Sequence, residues 1–154
     1  MAIMSSLVFV SLGSIAILSQ QQPPTTAYAQ QQLQAFIAKL TGKDEVPAVD
    51  TQAIGKAQFQ LNSDGNEINY DLTTTNLNSF TIAHVHQGKT GENRPPVAEL
   101  QMGKGKIASS DLQGPLAGRQ IPDLIDLMKN GGTYANVHTQ QNPNDEFRGQ
   151  ITTG

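Results

Sequence analysis

The chain has 154 residues, with 10 Lys and Arg against 13 Asp and Glu and a formal net charge of −3. That length suits one domain with an extension at one end, and the acidic balance without a basic stripe excludes nucleic acid as a partner. With no Cys, a disulfide framework, thiolate metal ligands and a thiol nucleophile are excluded as well.

Residues 3–18 form an apolar run without a charge, and Ala27-Tyr28-Ala29 follows after a polar stretch. An apolar run followed by A-x-A predicts a secretory signal peptide over residues 1–29. No Lys or Arg precedes the run, so the second reading is an uncleaved anchor through residues 3–18, short for a membrane span. Both readings place the chain outside the cytoplasm, as a secreted or extracytoplasmic protein, and are preferred to a third, a cytoplasmic helix. The Gln-rich stretch with Pro23-Pro24 runs on as a tail over residues 30–34, with no predicted structure. Residues 35–154 are the predicted domain.

Leu33, Ala35 and Ile37 alternate with Gln34, Phe36 and Ala38, which predicts a first strand. A loop with Gly42 and Pro47 follows. Residues 53–61 alternate again, with Ala57, Phe59 and Leu61 on one face. Asp64-Gly65 marks a tight turn that needs a positive φ. Ile68, Tyr70 and Leu72 then share a face of the returning strand, so residues 53–75 read as a β-hairpin. Thr81 to Gly88 is the next strand. Gly88 to Pro96 is a loop, Val97 to Leu100 a short strand, and residues 103–119 read as turn and edge structure. Ile121, Leu124, Ile125 and Met128 have helical spacing, with Pro122 early and Gly131 as the stop. Thr133 to Thr139 is a strand, and Glu146 to Thr152 closes the domain as the last one. Strands at short intervals with one short helix predict an all-β fold, an antiparallel Greek-key-like β-sandwich.

The chain has three histidines. His84 and His86 are two residues apart on a predicted strand, so both project from one face, with Ala83 and Val85 on the other. His138 sits in a similar strand. If the two strands are neighbours, three imidazoles converge into a metal site. Imidazole without thiolate favours Cu(II) by affinity, with zinc as the alternative. Three protein ligands leave one coordination position open. A closed structural site wants a fourth ligand, for which Glu146, Asp145 and Glu92 are candidates. Glu146, Arg148 and Gln150 share a face of the last strand. Glu146 is a candidate to orient a histidine through its second nitrogen, as is Asn136. Arg148 is a candidate to steer a small anion such as superoxide toward the metal, against the plainer reading that Glu146 and Arg148 form an ion pair.

Six motifs in order carry a resemblance. They are Leu40-Thr41-Gly42 with Glu45-Val46-Pro47, the Asp64-Gly65 turn, Ala83-His84-Val85-His86-Gln87-Gly88, Asp111-Leu112 with Gly114-Pro115-Leu116, Tyr134-Ala135-Asn136-Val137-His138-Thr139, and Glu146-Phe147-Arg148-Gly149-Gln150. Together they resemble the CHRD domain, named for chordin and common in secreted proteins, over roughly residues 33–152. The resemblance implies a secreted β-sandwich and no settled activity. Asp145 and Phe147 depart from its usual pattern, which has Gly and an aliphatic residue there. His-x-His on such a strand is also similar to the copper strand of copper–zinc superoxide dismutases. No histidines are left over for a separate zinc, so this likeness implies a copper-only site.

These observations predict an exported copper-binding protein with His84, His86 and His138 as ligands, serving superoxide dismutation or copper buffering. The alternative is a non-enzymatic extracellular binding or matrix module with structural histidines, with a protein partner or a second copy of the chain. A third reading, zinc-assisted hydrolysis, has Glu146 as the base.

Overall fold

The computed structural model describes residues 34–154. The predicted signal peptide, and all but Gln34 of the predicted tail, lie outside the described residues. Nine strands and one α-helix are present among those described. They are β1 (Ala35–Thr41), β2 (Ile54–Leu61), β3 (Glu67–Thr75), β4 (Phe80–Gln87), β5 (Pro96–Leu100), β6 (Gly103–Ala108), α1 (Ile121–Lys129), β7 (Thr133–Thr139), β8 (Phe147–Gln150) and β9 (Thr152–Thr153).

All pairings are antiparallel and join the strands in the order β5-β4-β7-β8-β1-β2-β3-β6, with β9 on β1. The two ends of this order, β5 and β6, are consecutive in the chain and separated only by Gln101 and Met102. The sheet therefore curls until its edges nearly meet, which is the predicted antiparallel sandwich. Its halves, β5-β4-β7-β8 and β1-β2-β3-β6, join where Thr41 pairs with Arg148. There Gly149 lies so close to β1 that a Cβ on it would stand 2.0 Å from the Lys39 carbonyl oxygen. Only a residue without a side chain fits. The chain crosses between halves at β3–β4, β5–β6, β6–β7 and β8–β9, the Greek-key-like wiring.

Alternation decides which residues form the core. Ala57 and Phe59 of β2 and Ile68, Tyr70 and Leu72 of β3 point inward as their spacing predicts. Gly65 has φ +73° in the turn between them. In β1 the buried set is Phe36, Ala38 and Leu40, while Ala35 is exposed and Ile37 half-buried. Apolar residues occupy both faces of this strand. Pairing Phe36 with Phe59 and Ala38 with Ala57 selects the face with the larger side chains.

α1 buries Ile121, Leu124, Ile125 and Met128 against the core. Its first turn is closed by Asp123, which accepts from the Gln120 N–H at 2.9 Å. Residues 103–119 contain the edge strand β6 and two 3-10 turns, Ser109–Asp111 and Gly114–Leu116. The last predicted strand is interrupted at Ile151, which is fully buried and donates its N–H to Thr133. β8 therefore pairs with β7, and β9 with β1.

Candidate metal centre

β4 and β7 lie side by side with Ile82 opposite His138, His84 opposite Asn136, and His86 opposite Tyr134. Opposite residues share a face. Ala83, Val85, Ala135 and Val137 take the inner face and are fully buried. The three histidines therefore stand together on the outer face. His138 is diagonal to His84, and one ring nitrogen from each of the three falls within 4.8 Å of the others.

The ring orientations are set by loop carbonyls. His86 Nδ1 is 2.6 Å from the Arg94 carbonyl oxygen, and His138 Nδ1 is 3.0 Å from that of Pro143. A carbonyl only accepts, so both Nδ1 atoms carry the proton and both Nε2 atoms present a lone pair. His86 Nε2 is buried without a partner. His138 Nε2 faces His84 Nδ1 at 3.2 Å. Two nitrogens bound to one ion at about 2.0–2.1 Å stand about 3 Å apart, so this spacing suits either a shared proton or a shared metal. An unsatisfied buried nitrogen is costly in an apo fold, and an ion among the three would satisfy it. The donor set is three imidazoles, and two of them, His86 and His138, hold their second nitrogen on a carbonyl as metal-binding histidines do.

Burial keeps the imidazoles of His84 and His86 in their neutral form. Burial, with the neighbouring His138 and His86, lowers His84 to about 4 against the opposing pull of Glu99 and Asp145. Burial likewise lowers His86. The group of mutually close donors among the described residues contains no carboxylate, so the proposed fourth ligands are not in it. The Glu92 carboxylate accepts from the Lys89 N–H at 3.1 Å, and Asp145 accepts from Asn136.

Glu146 is aimed elsewhere. Its carboxylate accepts from Thr51, from Thr139 at 2.9 Å and from Asn142 at 2.5 Å, and it bonds to no histidine. Burial alone would raise its pKa, but these donors outweigh burial and hold it below its ordinary value. It is neither the expected orienting group for a histidine nor placed as a base at the cluster. Asn136 is fully buried opposite His84, with its amide N–H on Asp145 and its Oδ1 unpartnered.

Arg148 is buried and committed to the fold. Its Nε donates to Glu45 at 2.5 Å, Nη1 to the Glu92 carbonyl at 3.0 Å and Nη2 to the Asn93 side chain at 2.6 Å. Its guanidinium lies 4.5 Å from the centre of the Tyr134 ring. Tyr134 also stacks on His86, with centroids 4.8 Å apart and planes at 17°. With these donors occupied, Arg148 is poorly placed to attract an anion, and its ion-pair partner is Glu45 rather than Glu146. Burial pushes Glu45 up to about 7 against the opposing pull of Arg148.

The sequence reading missed Arg94, Pro143, Glu45, Asn93 and the stacking of Tyr134. Arg94 and Pro143 act through backbone carbonyls, which leave no mark in residue type. Glu45 lies in a motif already recognised, but nothing in the sequence pairs it with Arg148.

The family model of the CHRD domain matches residues 36–151, which include every residue of the centre. No curated protein matches the chain.

Proposed function

The chain belongs to the CHRD domain family, and from that premise we propose that it is an exported protein that holds a single copper ion between His84, His86 and His138. CHRD is a domain of extracellular and secreted proteins, which supports export. Among the described residues no helix is long and apolar enough to cross a membrane. The observation that carries the metal reading is the buried, unpartnered Nε2 of His86, beside two other imidazole nitrogens.

Bound there, copper would supply a Lewis-acidic, redox-active centre with an open position. The protein's part is to hold the three imidazoles in place and to keep His84 and His86 neutral. The carboxylates acting on His84, Glu99 and Asp145, favour a cation over an anion. Holding and buffering copper is therefore the better-supported function. Superoxide dismutation is supported only by the three-ligand set, and the steering charge once expected from Arg148 is engaged elsewhere. A structural role for the histidines leaves the His86 nitrogen unexplained.

Metal analysis of copper-loaded protein tests this reading. One copper per chain, lost in His138→Ala while the variant stays folded, is the expected result. Equal copper in His138→Ala, or none in the wild type, contradicts it. A superoxide assay on the loaded protein then separates buffering, which predicts no activity above free copper, from dismutation.

A further inference from the structure

The two carbonyls that orient the histidines belong to different loops. Arg94 lies in residues 88–95, between β4 and β5, and Pro143 in residues 140–146, between β7 and β8. Neither loop has regular structure to hold it. Both approach Arg148. In the first, Arg148 takes the Glu92 carbonyl and the Asn93 side chain, immediately before Arg94. In the second, its Nη2 is 3.9 Å from the Asp145 carboxylate, two residues after Pro143. The third side of the guanidinium is fixed by Glu45, which follows the 3-10 turn after β1. Tyr134 adds to the same grip. Its ring lies between His86 of β4 and Arg148 of β8, and its hydroxyl meets the Arg94 N–H at 3.3 Å.

We propose that Arg148 is a positioning residue of the metal centre, clamping together the two loops whose carbonyls orient His86 and His138. The inference rests on reading the three histidines as a metal site. It assigns Arg148 a task that depends on shape rather than on charge. A planar guanidinium reaches Glu45, Glu92 and Asn93 at once, whereas a lysine ammonium is a single point on a flexible stem. Lost bonds around metal-orienting partners typically weaken metal binding about 10–100-fold.

The test is Arg148→Lys, which keeps the charge and removes the fork. The first readout needs no metal: two-bond proton–nitrogen correlation spectra of the metal-free protein, which report the tautomer of each of the three histidines. Wild type is expected to show His86 and His138 protonated at Nδ1 alone. In Arg148→Lys a mixture of tautomers is expected at His86, with copper affinity weakened about 10–100-fold. If Arg148→Lys fails to fold, Asn93→Ala removes one arm of the clamp from an exposed loop residue. It is expected to mix the tautomers of His86 and leave those of His138. Wild-type tautomers and copper affinity in a folded variant would overturn the proposal, showing that Arg148 serves the fold alone. Failure of the wild type to bind copper would overturn the metal reading instead, and the tautomers would still decide the clamp.

Discussion

The chemistry of the centre depends on which nitrogen of each imidazole is free. His86 is fixed three ways: by its strand, by the Tyr134 ring and by the Arg94 carbonyl. Its Nε2 has no alternative to pointing at its neighbours. Glu146 shows how a nearby carboxylate can take no direct part in that chemistry. It ties Thr51, Thr139 and Asn142 together and so joins the loop after β1 to the end of β7. Glu146→Gln is therefore expected to destabilise the fold by about 1.5–3 kcal/mol, the range for hydrogen bonds to a charged group, with copper affinity weakened only as far as the loop of Asn142 and Pro143 loosens. Chemical denaturation beside a copper titration checks this, and a loss of affinity without a loss of stability would contradict it. The pairing of His84 with His86 was legible because two-residue spacing on a strand places both side chains on one face. The partners of Glu146 and Arg148 were not. Each bonds to residues far away in sequence, and shared alternation says nothing about which long-range neighbour a side chain meets.

At the scale of elements, the decisive event is the pairing of β4 with β7. His84 and His138 are 54 residues apart, and β5, β6 and α1 intervene. Strand periodicity predicts each strand separately and carries no record of adjacency. The register then brings the histidines together because Ala83, Val85, Ala135 and Val137 must face the core. A one-residue slip would bury the histidines and expose those four. The packed strands also make the metal-free fold sensitive to acid. The folded-state pKa of His84 is lowered from 6.5 to about 4, and that of His86 is lowered too. Between these values the unfolded chain binds protons that the folded chain refuses, so stability falls as pH drops from about 6.5 to 4. Urea unfolding of the metal-free protein across this range should show that loss, and His84→Gln should reduce it. An equal loss in the variant would show that other groups are responsible. Phase was the other ambiguity at this scale. In β1, Ala35 and Ile37 compete with Phe36, Ala38 and Leu40, and only pairing with β2 resolves which set is buried.

At the scale of the whole molecule, one antiparallel sheet curls around a core supplied by nearly every strand and by α1. The site is built on the outer face of one half, close to where the halves join. There Arg148 pairs with Thr41 and Gly149 admits β1. The fold class was readable from short alternating strands, turn residues and a single helical segment. The curling was not, because it depends on the two-residue link that brings β5 and β6 together at opposite ends of the strand order. The arrangement sets the three imidazoles on paired strands, with the orienting carbonyls of His86 and His138 supplied by loops. The most direct test is Cu(II) electron paramagnetic resonance on the loaded protein and on His86→Ala. A single copper species with nitrogen hyperfine structure from imidazole, lost in His86→Ala, is the predicted result. A spectrum without protein nitrogen, or one unchanged in His86→Ala, would contradict the assignment of the three histidines as a copper centre.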